Sequence, residues 1–485
     1  TRVERRGDGY RDQGEWHQND SNVKVRVEID EDSWVAFSAS YMEDFHKAPG
    51  GLTMAEFAAD RFGNGRPENS FAGHRTVGDA LYHRELSDNA WVEGFVQAAG
   101  TKRHLRGERP RFGDPTSISN WEDDAYFWAV GGRGQAEFQN HRLYGGVRVH
   151  REWISDWTIF SEAFPADGST PSPVLASSFY LTTFSAHIDD TFEVTDRLTV
   201  VFGARIEWVP SAKGNDSVSG FVFDSDFFTV LPGVGASFEA TDRVVIFANY
   251  HEGFRAPQVF GFGSARPGDG LDFEESTLIE GGLRFRRVRG LAGSVTVWRT
   301  DYDNFHLFTS DGFFENLGRI LATGVDLEFE WAAGDVWESL EGFSILASLT
   351  VQDAELRSGV NRGNDVPYAW DNKAAWRLRY ERDGWVASIG GTFVGDSFSD
   401  DANTAASSAD GQIGMNPSRT IWDLQVYRKM TFGENENVTL EIFGGFTNLF
   451  DKDWFVHSRG GFFGGGMVAG QPRNGYIAFQ LTTVW

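Results

Sequence analysis

Cysteine is missing from the 485 residues, which removes disulfide scaffolds, thiolate metal sites and a cysteine nucleophile in one step. Proline is sparse at 14 residues, and no Pro- or Ser-rich linker or low-complexity stretch divides the chain. Sustained helical periodicity is absent as well. No apolar run reaches about 18 residues, so a membrane-spanning helix is excluded. Positive charge is the scarcer sign: 44 basic against 70 acidic residues give a formal charge of −26. A field of that sign repels nucleic acid, and no nucleic-acid partner is expected.

Strand signals fill the space these absences leave. Glycine is plentiful (56) and aromatic residues make up 15% of the chain, a mixture suited to many strands joined by open turns. Apolar and polar residues alternate with period two. Val23, Val25, Val27 and Ile29 interleave with Asn22, Lys24, Arg26 and Glu28. Leu198, Val200, Phe202, Ala204, Ile206 and Trp208 share one face, opposite Thr199, Gly203, Arg205 and Glu207. Val325, Leu327, Phe329 and Trp331 do the same against Gly324, Asp326, Glu328 and Glu330.

A soluble sandwich and a membrane barrel both give this local pattern. Connection lengths separate them. Short connections at 30–33, 87–89, 195–197, 241–243, 382–384 and 433–437 alternate with long ones near 44–74, 102–124, 155–176, 209–226, 254–274, 399–417 and 453–472. Tight turns at one rim and long loops at the other are the layout of an outer-membrane barrel. A repeated phrase, Phe192-Glu-Val-Thr-Asp-Arg-Leu198 and Phe238-Glu-Ala-Thr-Asp-Arg-Val244, reads twice as strand, Thr-Asp turn, strand. The expected fold is all-β: one large antiparallel transmembrane β-barrel over residues 1–485, with about 20 strands. Its final strand alternates Ile477, Phe479, Leu481, Thr483 and Trp485 on one face and ends on the aromatic. That ending is similar to the assembly signal of outer-membrane barrels.

Several segments resemble the TonB-dependent receptors, and more narrowly their ferric-citrate branch. Glu252-Gly-Phe-Arg-Ala-Pro257 resembles a segment that follows a mid-barrel strand, and Thr183 to Trp208 resembles the family's mid-barrel hairpin. Asn448-Leu-Phe-Asp-Lys452 resembles the motif before the last long loop. The branch rests on three more stretches. They are Gly7-Asp-Gly-Tyr-Arg-Asp12; Pro49-Gly-Gly-Leu-Thr53 with Ala55, Glu56, Phe57 and Asp60; and Val394-Gly-Asp396 with Asp401-Ala-Asn-Thr404, Asp410, Gly411 and Gly414. The resemblance implies outer-membrane uptake of a ferric chelate (a siderophore or an iron citrate-like complex) without catalysis or a cofactor. It also implies a lumen plug that contacts the TonB complex. In such receptors a plug and first strands precede a segment like 7–12, so both are expected to lie outside this chain, supplied by a missing segment or a separate polypeptide. They would complete the barrel to about 22 strands. The alternative is a structural or anchoring barrel within a larger complex, without transport.

Candidate ligand chemistry concentrates in Lys102-Arg103-His104-Leu-Arg106-Gly-Glu108-Arg109-Pro-Arg111. Guanidinium groups bind carboxylates as forks, so Arg103, Arg106, Arg109 and Arg111 are the expected contacts for an anionic chelate. Lipopolysaccharide phosphate or nearby acids could occupy the same cations. Asp123, Asp124 and Ala125 stand before Tyr126 where related receptors carry arginine, which sets a citrate-like ligand in question. Asp396, Asp400 and Asp401 read either as a calcium loop or, better, as solvated acids. Asp326, Glu328 and Glu330 read as a polar lumen wall, not a glycosidase pair. Histidines show no metal-ligand spacing, and His150, His251 and His457 read as interfacial or loop residues. Gly460 to Gly466 lacks the context of a phosphate loop. Trp34, Trp91, Trp208, Trp385 and Trp454 read as interface aromatics. Asn448, Leu449, Phe450, Phe479 and Trp485 are expected to serve structure and assembly. The expected location is the outer membrane of a Gram-negative-type bacterium, with lipid and lipopolysaccharide as its surroundings.

Overall fold

The computed structural model describes residues 2–108, 118–161, 173–216, 222–256, 272–308, 314–433, 438–459 and 464–483. The chain runs β1 (Arg2–Gly7), β2 (Trp16–Glu28), β3 (Ser33–Lys47), α1 (Met54–Ala59), β4 (Ser70–Ser87), β5 (Ala90–Glu108), β6 (Ile118–Phe138) and β7 (His141–Ser161). It continues through β8 (Pro173–Thr195), β9 (Leu198–Asp216), β10 (Val222–Thr241), β11 (Val244–Arg255), β12 (Glu274–Val288) and β13 (Leu291–Asp303). A small hairpin, β14 (His306–Phe308) and β15 (Phe314–Asn316), precedes β16 (Ile320–Ala332), β17 (Phe343–Leu356), β18 (Asn372–Arg382) and β19 (Trp385–Val394). The last part holds β20 (Ser397–Phe398), β21 (Met415–Asn416), β22 (Arg419–Phe432), β23 (Val438–Thr447), β24 (Phe455–Ser458), β25 (Gly466–Ala469) and β26 (Asn474–Thr483).

Twenty of these strands form one sheet, in which each pairs antiparallel with the next. The six short strands pair among themselves within long loops. Among the described connections the longest, 48–69, 357–371, 395–418 and 448–473, all fall at one end, while most connections at the other end have two to four residues and the longest described there is 333–342. The loops are tighter than the sequence reading drew them. The stretch expected as loop 102–124 is strand up to Glu108 and again from Ile118, and β8 alone has 23 residues. About 9–11 residues cross a bilayer. The extra length carries the strands beyond the apolar band, where polar residues on both faces erase the contrast that marks a strand.

Turn chemistry repeats where the sequence does. Thr195 Oγ1 accepts the Arg197 and Leu198 amides at 3.2 and 3.1 Å. Thr241 Oγ1 accepts those of Arg243 and Val244 at the same distances. The threonine hydroxyl, rather than the following aspartate, makes the turn.

Alternation sorts the two faces as expected. Val23, Val25, Val27, Phe202, Ile206 and Trp208 lie exposed on the outer face. Asp326 points inward and accepts from Thr350 Oγ1 at 2.6 Å. Trp34 and Trp91 depart from the interface role. By register they share the inner face with Arg26, and they enclose His83, with ring centroids 4.9 and 5.8 Å away.

The sheet curls until its ends approach. Tyr10, beyond β1, donates its hydroxyl to the Ala469 carbonyl at 2.9 Å. Leu52 and Met467 exchange backbone bonds of 2.9 and 2.7 Å. Among the described residues, however, β1 pairs only with β2 and β26 only with β23, so a seam with two unpaired edges separates them. Among the described residues β1 meets β2 along 16–21, leaving 23–28 as a further open edge.

Candidate ligand site

The inner wall of β3 to β8 forms a recess of about 720 Å³ toward the long-loop end. Asp44, Arg75, Arg103, Phe127, His150 and Glu152 line it. Register places Asp44, Gly73, Arg103 and Asp123 in one inward row across four strands. Arg103 Nε donates to Asp123 Oδ1 at 2.9 Å, and Asp123 is buried. The second carboxylate oxygen of Asp123 has no hydrogen-bond partner among the described residues. His150 Nδ1 lies 3.0 Å from Arg148, and its Nε2 lies 3.5 Å from Glu152. The recess is thus a mixed surface of cations, carboxylates and rings. It suits a polar ligand with more than one kind of contact.

The four arginines expected to meet a chelate do not share one surface. Arg103 faces inward. Arg106, three residues along a strand, faces the other way and binds Glu68 at 3.0 Å. Lys102 and His104 also face outward, at 3.1 and 4.0 Å from Asp124 and Glu122. Period two puts residues of odd separation on opposite faces, which residue type alone does not reveal. Arg109 and Arg111 lie outside the described residues. Arg75 was not singled out, and His150, expected as an interfacial or loop residue, instead lies on β7 in the inner wall and lines the recess.

At the long-loop end, four loops pack into a cap, and the three stretches behind the narrower resemblance meet inside it. Arg11 donates to the Gly50 and Gly63 carbonyls at 2.5 and 2.8 Å; its burial pulls its pKa down. Thr53 caps α1: its Oγ1 accepts from the Glu56 amide at 3.2 Å, and the Glu56 carboxylate accepts from the Thr53 amide at 2.8 Å. The Met54 amide reaches the Ala409 carbonyl at 3.2 Å. Gly411 has φ +74°, and a Cβ there would sit 2.5 Å from the Leu52 carbonyl oxygen. Glycine is required twice over, by backbone conformation and by space.

Other loop residues turn out to be structural. Asp400 is buried, not solvated, and accepts from the Thr404 amide and hydroxyl at 2.9 and 2.7 Å. Asp401 accepts from Asn361 at 2.8 Å. Among the described residues no group of three or more His, Asp or Glu is arranged to hold a metal ion. His457 is fully buried: Nδ1 lies 2.7 Å from the Gly411 carbonyl and Nε2 3.1 Å from Ser407 Oγ. Asn448, at φ +48°, donates to the Lys452 and Gln471 carbonyls at 2.9 and 3.0 Å and accepts the Lys452 amide at 2.8 Å. Leu449 donates its amide to the Trp422 carbonyl at 2.6 Å, and Phe450 lies exposed with its ring edge-on to Trp422. Phe479 is exposed on β26; Trp485 lies outside the described residues. Beside the cap, burial raises the carboxyl pKa of Asp365 and Asp371, and neighbouring acids including Asp353 and Asp396 raise it further.

The family model for the TonB dependent receptor-like β-barrel matches residues 6–449. The chain belongs to that family. Its barrel superposes on the unliganded ferric citrate transporter FecA with a TM-score of 0.87 at 22% identity, over 98% of this chain and 71% of that one. The copper transporter OprC gives 0.75 at 17% identity, over 99% and 74%. Among curated relatives, a ferric-pyoverdine receptor of Pseudomonas putida is 21% identical over 330 residues, 66% of this chain and 37% of its own length. The metal-pseudopaline receptor CntO of Pseudomonas aeruginosa is 25% identical over 258 residues, 52% of this chain and 33% of its own. The matched part therefore spans about a third of these curated relatives. As a TonB-dependent receptor barrel the chain is an outer-membrane protein and not an enzyme. Its long-loop end is extracellular and its short turns are periplasmic.

Proposed function

We propose that this barrel serves uptake of a ferric or related metal chelate across the outer membrane, driven through TonB by a plug in its lumen. The recess in the inner wall toward the extracellular end carries the reading: Arg75 and Arg103 offer cations to an anionic chelate, while Phe71 and Phe127 offer ring surface. The relatives named above are receptors or transporters for metals or their chelates, which supports the class of cargo. Of the four arginines expected to meet the ligand, Arg103 is the one whose described geometry favours that role. The open seam supports completion by further strands. β1 runs toward the extracellular rim and β26 away from it, so an antiparallel barrel admits an even number between them, the smallest being two. Lipid cannot satisfy the unpaired edges. The plug would come with those strands or as a separate chain.

The test is iron uptake by the complete protein, in an iron-starved strain stripped of its own receptors, with radiolabelled ferric chelates of different charge. Uptake that depends on TonB and favours anionic chelates is expected. Arg103→Gln should raise the half-saturating chelate concentration by about tenfold. Absence of uptake for every chelate, with the protein present in the outer membrane, would sink the proposal.

A further inference from the structure

An ionisable pair sits on the lipid-facing side of the barrel, near its periplasmic rim. Register puts His141 opposite Phe192, and Asp190 opposite both Leu143 and Phe202. These positions belong to the outer row, whose members Val147, Ile188 and Phe202 are 62%, 59% and 48% exposed. His141 is sandwiched between Phe138 and Phe192, with ring centroids 5.3 and 4.4 Å away and interplanar angles of 17° and 6°. Its Nδ1 lies 2.7 Å from Asp190 Oδ2. Asp190 is only 7% exposed, and its other oxygen, Oδ1, has no hydrogen-bond partner among the described residues.

A carboxylate facing lipid is costly at any depth within the apolar band. One oxygen is answered by His141, and the other needs a donor. The surroundings limit what that donor is. The neighbouring outer-row side chains are apolar, and the pair lies beside the two-residue turn 139–140 at the periplasmic rim, the end of a barrel that inner-leaflet headgroups surround. A phospholipid headgroup with a primary ammonium has the required chemistry: it brings N–H donors and positive charge on a body that already lies against the barrel.

We propose that Asp190, positioned by His141 and its phenylalanine sandwich, is a binding site for the ammonium of an inner-leaflet phospholipid such as phosphatidylethanolamine. The three phenylalanines bound it with apolar surface suited to the glycerol and upper acyl chain. Phe202, half-exposed directly across from Asp190, is the side chain that swings to admit the headgroup.

The experiment places the complete protein in nanodiscs of equimolar phosphatidylethanolamine and phosphatidylcholine. Native mass spectrometry then counts the lipids retained as detergent strips the annulus. Both headgroups are zwitterionic, but the choline nitrogen carries no N–H, so the comparison isolates the hydrogen bond. The wild type should retain phosphatidylethanolamine over phosphatidylcholine by about fivefold. Asp190→Asn should bring the ratio near one. His141→Phe, which keeps the carboxylate but removes the group that positions it, should lower the preference without abolishing it. A wild-type ratio of one overturns the site whether or not either variant folds, as does a preference that persists in Asp190→Asn. Retention equal for both lipids but abolished by His141→Phe would point to a phosphate contact instead, and overturns the ammonium assignment.

Discussion

Asn448 shows how far a single residue can be read. Its motif marked the entrance to the last extracellular loop, but residue type did not show what the side chain holds. The amide ties Lys452 and Gln471 across the neck of that loop, in a left-handed backbone conformation that asparagine tolerates better than most residues. Asn448→Ala removes three hydrogen bonds at a buried position and should cost about 2–3 kcal/mol of local stability. Amide exchange over 448–473 reads this directly, and unchanged protection would refute it. Titration argues at the same scale. Asp365 and Asp371 have carboxyl pKa values raised first by burial and then by neighbouring acids such as Asp353 and Asp396, so the folded loop binds protons that the unfolded one releases. Loop 357–371 should be most protected from proteolysis at acid pH and loosen as pH rises through the raised values. Asp371→Asn should flatten that dependence. Protection that increases toward neutral pH would contradict the sign.

Elements were legible in proportion to their contrast. Within the apolar band, period two separated faces correctly for β2, β9 and β16, and glycine, aspartate and threonine marked the periplasmic turns. Beyond the band the strands continue with polar residues on both sides, as in Lys102 to Glu108, and the same residues read as loop. Parity carried more than was taken from it. Val35 and Phe37 point outward, so Trp34 had to face the lumen. The cap was the least legible element, because its loops meet only in three dimensions. Gly411 is its most exacting contact: φ +74° and 2.5 Å of clearance to Leu52 leave no place for a side chain. Gly411→Ala should part 48–69 from 395–418 and expose both to protease by at least about tenfold, through strain of some 1–3 kcal/mol. Cleavage at the wild-type rate would show the cap to be more yielding than its geometry implies.

At the scale of the whole molecule, the order and spacing of turns placed the chain among barrels before any residue had a role. The ligand site followed only in part, since a ring of twenty strands brings together residues such as Asp44, Arg103 and Glu152 that no local pattern connects. The seam is the feature with the largest physical consequence. Among the described residues, unpaired backbone groups along β26 and along 23–28 of β2 face a bilayer that offers them nothing. An isolated barrel of these strands should therefore show rapid amide exchange along both edges, while the complete receptor protects them.

The decisive measurement is a cryo-electron microscopy structure of the protein extracted from its native membrane with everything that co-purifies. The account predicts two additional antiparallel strands between β26 and β1, density for a folded plug in the lumen, and β2 paired along its full length. A barrel closed by β26 pairing directly with β1, around an empty lumen, would contradict it.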